Sequence, residues 1–216
     1  MCFSAGASFG AGVLLAGAGA VTLRQTTSPN EWAFAAIPAL FSIQQLSEGA
    51  LWVALANPDY AGWQGPATYV FFFFAQVFWP VYIPFAVLTL ERKPLRRKIL
   101  QAILAAGILL AAYMVFGIGR FGVEAHIQEC HIKYGPKYPF GIPRTFLYIL
   151  IVGVPLFLSS YKRMQVFGIA VIASLALTIL FFKSFLVSVW CFFAAIVSVV
   201  IWWVLRGNRE PKEAVS

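Results

Sequence analysis

Residues 166–205 form a run of 40 residues in which Lys183 is the only charge. A helix rises about 1.5 Å per residue, so a single helix of that length would reach about 60 Å, twice the thickness of bilayer hydrocarbon. The run must therefore fold back on itself. Lys183-Ser184 is its best polar place for a turn, although neither Gly nor Pro marks it. Uninterrupted apolar stretches of this kind belong in lipid, since a soluble core does not need them.

Composition points the same way. Hydrophobic residues make up 61% of the 216, and charged residues only 11%, against roughly 25% in an average soluble domain. The chain reads as all-α: a polytopic membrane helix bundle of about seven transmembrane helices, over 4–23, 33–56, 66–90, 98–119, 144–161, 165–182 and 184–205. Residues 1–206 would form a single helix-bundle domain and 207–216 a short cytoplasmic tail. Met1–Leu23 carries no charge and Arg24 follows the run, unlike a secretory signal with its basic n-region. The first helix is therefore expected to be retained, with the N-terminus outside.

Lys and Arg counts set the orientation. With the N-terminus outside, the cytoplasmic segments hold Arg24, Arg92, Lys93, Arg96, Arg97, Lys98, Lys162, Arg163, Arg206, Arg209 and Lys212. The outer segments hold only Arg120, Lys133, Lys137, Arg144 and Lys183. Eleven against five favours an N-outside, C-inside layout. The same rule explains the net charge of +8. No aromatic-basic interleaving accompanies it, so the expected partner is the lipid bilayer, not nucleic acid.

Within the spans, Pro38, Pro80, Pro84 and Pro155 each remove a backbone donor and favour kinks. Gly6 and Gly10, four apart in the first span, have the small-xxx-small spacing for close helix contact.

Glu48 is the polar residue that most needs explaining. A carboxylate at that depth costs several kcal/mol unless it is paired, hydrated or protonated. Gln44 and Gln45 lie four and three residues before it, so all three can share one helix face, and Trp52 continues that stripe. The face should point into the bundle. It serves either as a structural polar knot, with Gln76 of the third span as a partner for Glu48, or as a proton, ion or substrate site.

The segment between the fourth and fifth spans, RFGVEAHIQECHIKYGPKYPFGIPR, holds both histidines, His126 and His131, with Cys130 between them. One helical turn would place His126 and Cys130 on a common face. Imidazole and thiolate are good ligands for zinc or copper, and Cys2 is the candidate additional ligand. The spacing matches no closed zinc set. Cys2 and Cys130 are both expected outside, where disulfides persist, so a Cys2–Cys130 bond is the alternative. Cys191 reads as a small packing residue. With the N-terminus outside, Glu48, the His/Cys segment and Cys2 all fall on the outer side.

The opening MCFSA, the second-span AAIPALFSIQQLSEGALW, the third-span FFFFAQVFWPVYIP and WCFFAA near the C-terminus resemble an uncharacterised family of bacterial multi-pass membrane proteins. The resemblance implies a bacterial inner-membrane location and one multi-helix domain, and carries no reaction with it. The layout is also similar to rhodopsin-like and ceramidase-like proteins. The last span, however, lacks a mid-helix Lys suited to a retinal Schiff base and the histidine pair that membrane ceramidase relatives use for zinc. Three functional classes remain open: an outward-facing polar pocket, a candidate metal site; a proton-coupled transporter using Glu48; and a non-catalytic structural subunit.

Overall fold

A computed structural model describes residues 4–136 and 141–206. Helix α1, Ala5–Arg24, begins at Ser4, whose hydroxyl accepts from the Ala7 amide at 3.2 Å and satisfies one orphan donor of the first turn. Its buried positions are Ser8, Gly12, Leu15, Gly19 and Thr22, one stripe at helical spacing. That stripe packs against α3, Ile37–Ala56. The residues that let the two backbones approach are Gly12 and Gly19. A β-carbon at Gly19 would lie 2.7 Å from the Ala39 backbone nitrogen. Gly6 and Gly10, chosen from spacing alone, meet no part of α3 within 4 Å, so the expected glycine pair is corrected to one two turns apart.

Two of the four span prolines follow a change in helix geometry, and two lie inside helices. A short helix α2, Trp32–Ala35, breaks at Ala36, and Pro38 falls in the first turn of α3. There its missing N–H would have had no helical acceptor, so the chain re-starts at little cost instead of kinking. Helix α4, Gln64–Phe73, runs through a π turn at Phe74–Phe78 into α5, Trp79–Leu90, with Pro80 again in the first turn. Pro84 lies inside α5.

Helix α6, Pro94–Phe121, starts before the expected boundary at 98. Arg96, Arg97 and Lys98 therefore ride on its opening turns. Arg97 reaches back to the carbonyls of Leu88 (3.0 Å) and Glu91 (2.8 Å) at the end of α5, where a cation suits the negative end of the helix dipole.

The described chain is mostly helical, and the next segment adds the one two-stranded sheet among the described residues. Strands β1, Val123–Gln128, and β2, His131–Pro136, form an antiparallel hairpin. Its two-residue turn is Glu129-Cys130, both at positive φ (48° and 62°), the backbone that two-residue hairpin turns require. The register pairs Ala125 with Tyr134 and Ile127 with Ile132 on one face, and His126 with Lys133 and Gln128 with His131 on the other. The first face packs Ile132, fully buried, against Leu51 and Trp52 of α3 and Ala67 of α4.

Helix α7, Gly141–Leu158, contains Pro155. The long apolar run becomes α8, Lys162–Phe182, a 3-10 turn at Lys183–Phe185, then α9, Leu186–Ser198, and α10, Ile201–Arg206. Helix α8 packs against both α9 and α10, so the run doubles back at its one charge. Four stretches are long and apolar enough to cross a membrane: Ala5–Arg24, Pro58–Leu90, Pro94–Phe121 and Lys162–Arg206. Arg144–Leu158 is a shorter apolar helix. Large side chains point outward from several of these helices, with Leu14 74% and Leu180 75% exposed, as lipid-facing surface requires. Cys2, Lys137, Arg209, Lys212 and the expected tail 207–216 lie outside the described residues.

Candidate functional site

Glu48 is 2% exposed, in the second half of α3, and its Oε1 accepts from the Ser188 hydroxyl of α9 at 2.5 Å. Helical spacing carries Gln44 onto the neighbouring turn, where its Oε1 accepts from the indole N–H of Trp79 on α5 at 2.7 Å. Trp79 in turn stacks on Phe41, with ring centres 4.1 Å apart. Gln45 lies beside the Glu48 carboxyl without reaching hydrogen-bond geometry: neither of its amide atoms has a partner among the described residues. The same is true of the Gln44 amide nitrogen and the Trp52 indole N–H. Gln44 and Gln45 are both fully buried. An unpartnered polar atom in such a place costs about 1–3 kcal/mol, so this face of α3 carries several uncompensated donors around one carboxyl.

Glu48 has Ser188 where Gln76 was the expected partner. Gln76 lies on the π turn and faces a crevice with Arg144 and Tyr148. The π turn swings this part of the chain round and aims the Ala75 carbonyl at the Tyr148 hydroxyl, which donates to it at 2.7 Å.

The hairpin closes the site from one end. Tyr134 enters from β2 and stacks on Phe71, rings 4.8 Å apart and 10° from parallel. Its buried hydroxyl has no hydrogen-bond partner among the described residues and lies within electrostatic reach of Glu48 and Cys191.

The candidate metal ligands are dispersed by the same hairpin. His126 is exposed on the outer face opposite Lys133, and Cys130 is exposed at the turn. His131 is buried, stacked on Phe185 with ring centres 4.5 Å apart, and its Nδ1 lies 2.7 Å from the Glu129 carbonyl. The helical turn expected to align His126 with Cys130 does not form, because alternation of apolar and polar residues from Val123 to Gln128 favours a strand. Among the described residues, no three of His, Cys, Asp and Glu converge as a metal-holding group. Cys2, both as ligand and as disulfide partner of Cys130, lies outside the described residues.

Three residues of the polar architecture escaped sequence reasoning. Ser188 and Tyr134 are ordinary residues in their own segments, and only the fold brings them to Glu48. Glu91 sits among five cations and looks like surface, yet it is 1% exposed. Its Oε1 accepts from the Arg92 and Lys93 amides (both 2.9 Å) and the Ser160 hydroxyl (2.7 Å), and its Oε2 from the Ser160 amide (2.7 Å). Arg96 also donates to the Ser160 hydroxyl at 3.1 Å. The carboxylate thus joins the α5–α6 and α7–α8 connections. Burial pushes its pKa up, but these donors outweigh that and hold it below the usual carboxylate range.

No curated protein and no solved structure matches the chain. A family model does, over residues 1–216: the chain belongs to the family of unknown function DUF6629.

Proposed function

We propose that this is a bacterial inner-membrane protein of seven helical passes, with the hairpin end outside and the basic end inside, and that its working site is the Glu48 cluster. There Glu48 takes up and releases a proton, or passes one to a bound polar guest, with Ser188 holding the carboxyl and Gln45 beside it. The observation that supports this is a carboxyl with a single hydroxyl partner and no ion-pair partner, ringed by buried donors with no acceptor in hydrogen-bond geometry, both among the described residues. A knot that served packing alone would satisfy its members. Intramembrane carboxyls of this kind serve proton and substrate pathways.

A zinc or copper site built from His126, Cys130, His131 and Cys2 has less support, because His126 and Cys130 are exposed while the His131 ring is buried against Phe185, and no three such groups converge among the described residues. The experiment is infrared difference spectroscopy of the purified protein in lipid nanodiscs across an acid-to-alkaline titration. The expected result is a carboxylic-acid carbonyl band that changes with pH and is absent from Glu48→Gln. Identical difference spectra for the two proteins would refute a titrating site.

A further inference from the structure

The polar groups near Glu48 run in one direction. On α3, Gln44, Gln45, Glu48 and Trp52 fall within about 100° of one another at helical spacing, and Trp52 stands about 10 Å beyond Gln45 along the axis. Both amide atoms of Gln45, the amide nitrogen of Gln44 and the indole N–H of Trp52 are buried without a hydrogen-bond partner among the described residues. The strip continues onto the hairpin. Leu51 and Trp52 share an apolar cluster with Ile132 of β2, and Tyr134 packs against that cluster. Tyr134 also packs, with Val187, against the cluster of Phe71, Ala75 and Cys191. It is thus held between the segments of α3 and α9 that carry Glu48 and Ser188, and its buried hydroxyl also has no partner among the described residues.

In the other direction the strip stops. Beyond Gln44 the same face of α3 continues as Phe41 and Ile37, both buried, and Phe41 stacks on Trp79. Past them lies an apolar slot of about 40 Å³, lined by Ile37, Phe41, Ile83, Leu156, Phe167 and Tyr148 among others. The Tyr148 hydroxyl there is committed to the Ala75 carbonyl at 2.7 Å.

Tyr134 and the Cys191 thiol are the titratable groups within electrostatic reach of Glu48. Helix α1, packed along α3, carries only Arg24, at its far end, and α4 carries only Tyr69, which is exposed. Asp59, Glu124 and His126, past the Trp52 end of the strip, are exposed.

We propose, resting on the reading that Glu48 exchanges a proton, that the exchange runs through the hairpin end alone, and that Tyr134 is the positioning residue for it. Its hydroxyl, the Gln45 amide and the Trp52 N–H hold the water that carries the proton. Buried polar atoms without partners are costly, and a buried water makes about three hydrogen bonds, so water entering beneath the hairpin satisfies several of these groups at once. The carboxyl O–H bond breaks as an O–H bond forms on this water, which passes one of its protons to solvent at the hairpin; the carboxylate remains, and Tyr134 keeps its own proton. Uptake is the reverse.

The test follows the Glu48 carboxylic-acid band by infrared spectroscopy as the full-length protein in nanodiscs is moved from H2O into D2O, since the band shifts when O–H becomes O–D. Tyr134→Phe should slow the shift about tenfold without lowering the melting temperature, because the hydroxyl it removes has no partner to lose. Trp52→Phe should slow it as well. Tyr148→Phe should do the opposite: it breaks a made hydrogen bond, so it melts earlier, but it exchanges at the wild-type rate. Wild-type exchange in both Tyr134→Phe and Trp52→Phe overturns the proposal, and so does equal slowing in Tyr148→Phe. Should Tyr134→Phe fail to fold, the contrast between Trp52→Phe and Tyr148→Phe decides. A band that responds to pH, with exchange unaltered in these variants, refutes the hairpin route alone; if no band is lost in Glu48→Gln, the proton site itself is refuted and this proposal falls with it.

Discussion

Removing the Glu91 carboxylate should loosen the basic end of the bundle by a measurable amount. Four donors converge on it: two amides from its own connection and the amide and hydroxyl of Ser160 from the other. Hydrogen bonds to a charged group contribute about 1.5–3 kcal/mol each. The two local donors can turn to water if the connection opens, so only the two Ser160 bonds count in full. Allowing for partial hydration of that end, Glu91→Ala should cost roughly 2–4 kcal/mol, and in a chain of this size each kcal/mol lowers the melting temperature by about 2–4 °C. Glu91→Gln keeps the shape but replaces one accepting oxygen with a donor that faces another donor, so it should lose much of the same stability. The pH dependence follows from the lowered pKa. A carboxylate whose folded pKa is depressed contributes stability that is fully present above its unfolded value, about 4.3, and is lost as pH falls through the folded value. Wild type should therefore lose this contribution under acid, whereas Glu91→Gln should have none to lose. The assay is thermal unfolding followed by tryptophan fluorescence in detergent, at neutral and acidic pH. A melting temperature for Glu91→Ala within a degree or two of wild type at neutral pH would refute the reasoning, as would an unchanged acid dependence in Glu91→Gln.

Other outcomes follow from the same geometry. Gly19→Ala should separate α1 from α3 at a cost of about 1–3 kcal/mol, since the new β-carbon meets Ala39 backbone at 2.7 Å; Gly10→Ala, with nothing within 4 Å, should be near neutral in the same melting assay. Ser188→Ala should leave the Glu48 carboxyl without its one hydroxyl partner, lower stability by about 1–3 kcal/mol, and shift the infrared carbonyl band assigned to Glu48; an unmoved band would show that the 2.5 Å contact does not persist in the membrane. A reporter active only in the cytoplasm should give signal when fused after the C-terminus, and signal from a periplasmic reporter alone would reverse the orientation.

How much of this was legible in advance depended on whether the deciding contact was local. The doubling back of residues 166–205 follows from length and a single charge, because a helix twice the hydrocarbon thickness with a mid-run Lys has nowhere to sit. The shared face of Gln44, Gln45 and Glu48 is likewise a matter of spacing on one helix. Ser188 was not legible, because it lies 140 residues from Glu48 and nothing near it in sequence marks it out. The hairpin was misread for a different reason. The alternation in VEAHIQ was present, but the His/Cys spacing was read with the helical rise; a strand rises about 3.4 Å per residue where a helix rises about 1.5 Å, so His126 in β1 and Cys130 in the turn are drawn apart. The prolines were assigned to kinks because the spans were drawn as unbroken helices. In the structure Pro38 occupies the first turn of α3, where proline costs the helix little, whereas Pro80 follows the π turn of a helix continuous from α4, and the Tyr148 hydroxyl takes up the Ala75 carbonyl there. Glu91 was hidden by its neighbours, since a lone acid in a basic cluster ordinarily stays in water.

Helix α9 lies between the Glu48 cluster and the Arg144 crevice, and its one cysteine makes the route into the bundle testable. Ser188 and Cys191 are three residues apart and so share a face. Ser188 reaches Glu48, while Cys191 forms part of the wall between the crevice and the apolar slot. Cys191 is 6% exposed, so any reagent that modifies it must arrive through one of these openings. If the route is the crevice, the reagent passes Arg144, the charged residue in that wall. An anionic thiosulfonate should then modify Cys191 faster than a cationic one of similar size, by about tenfold if the guanidinium contributes roughly 1.4 kcal/mol at the mouth. The protein for this measurement carries Ser in place of Cys2 and Cys130, leaving one thiol. Arg144→Gln should remove the preference. Equal rates for the two reagents in the presence of Arg144, or a faster cation, would mean that Cys191 is reached by another path and that the crevice is not the entrance to the bundle interior.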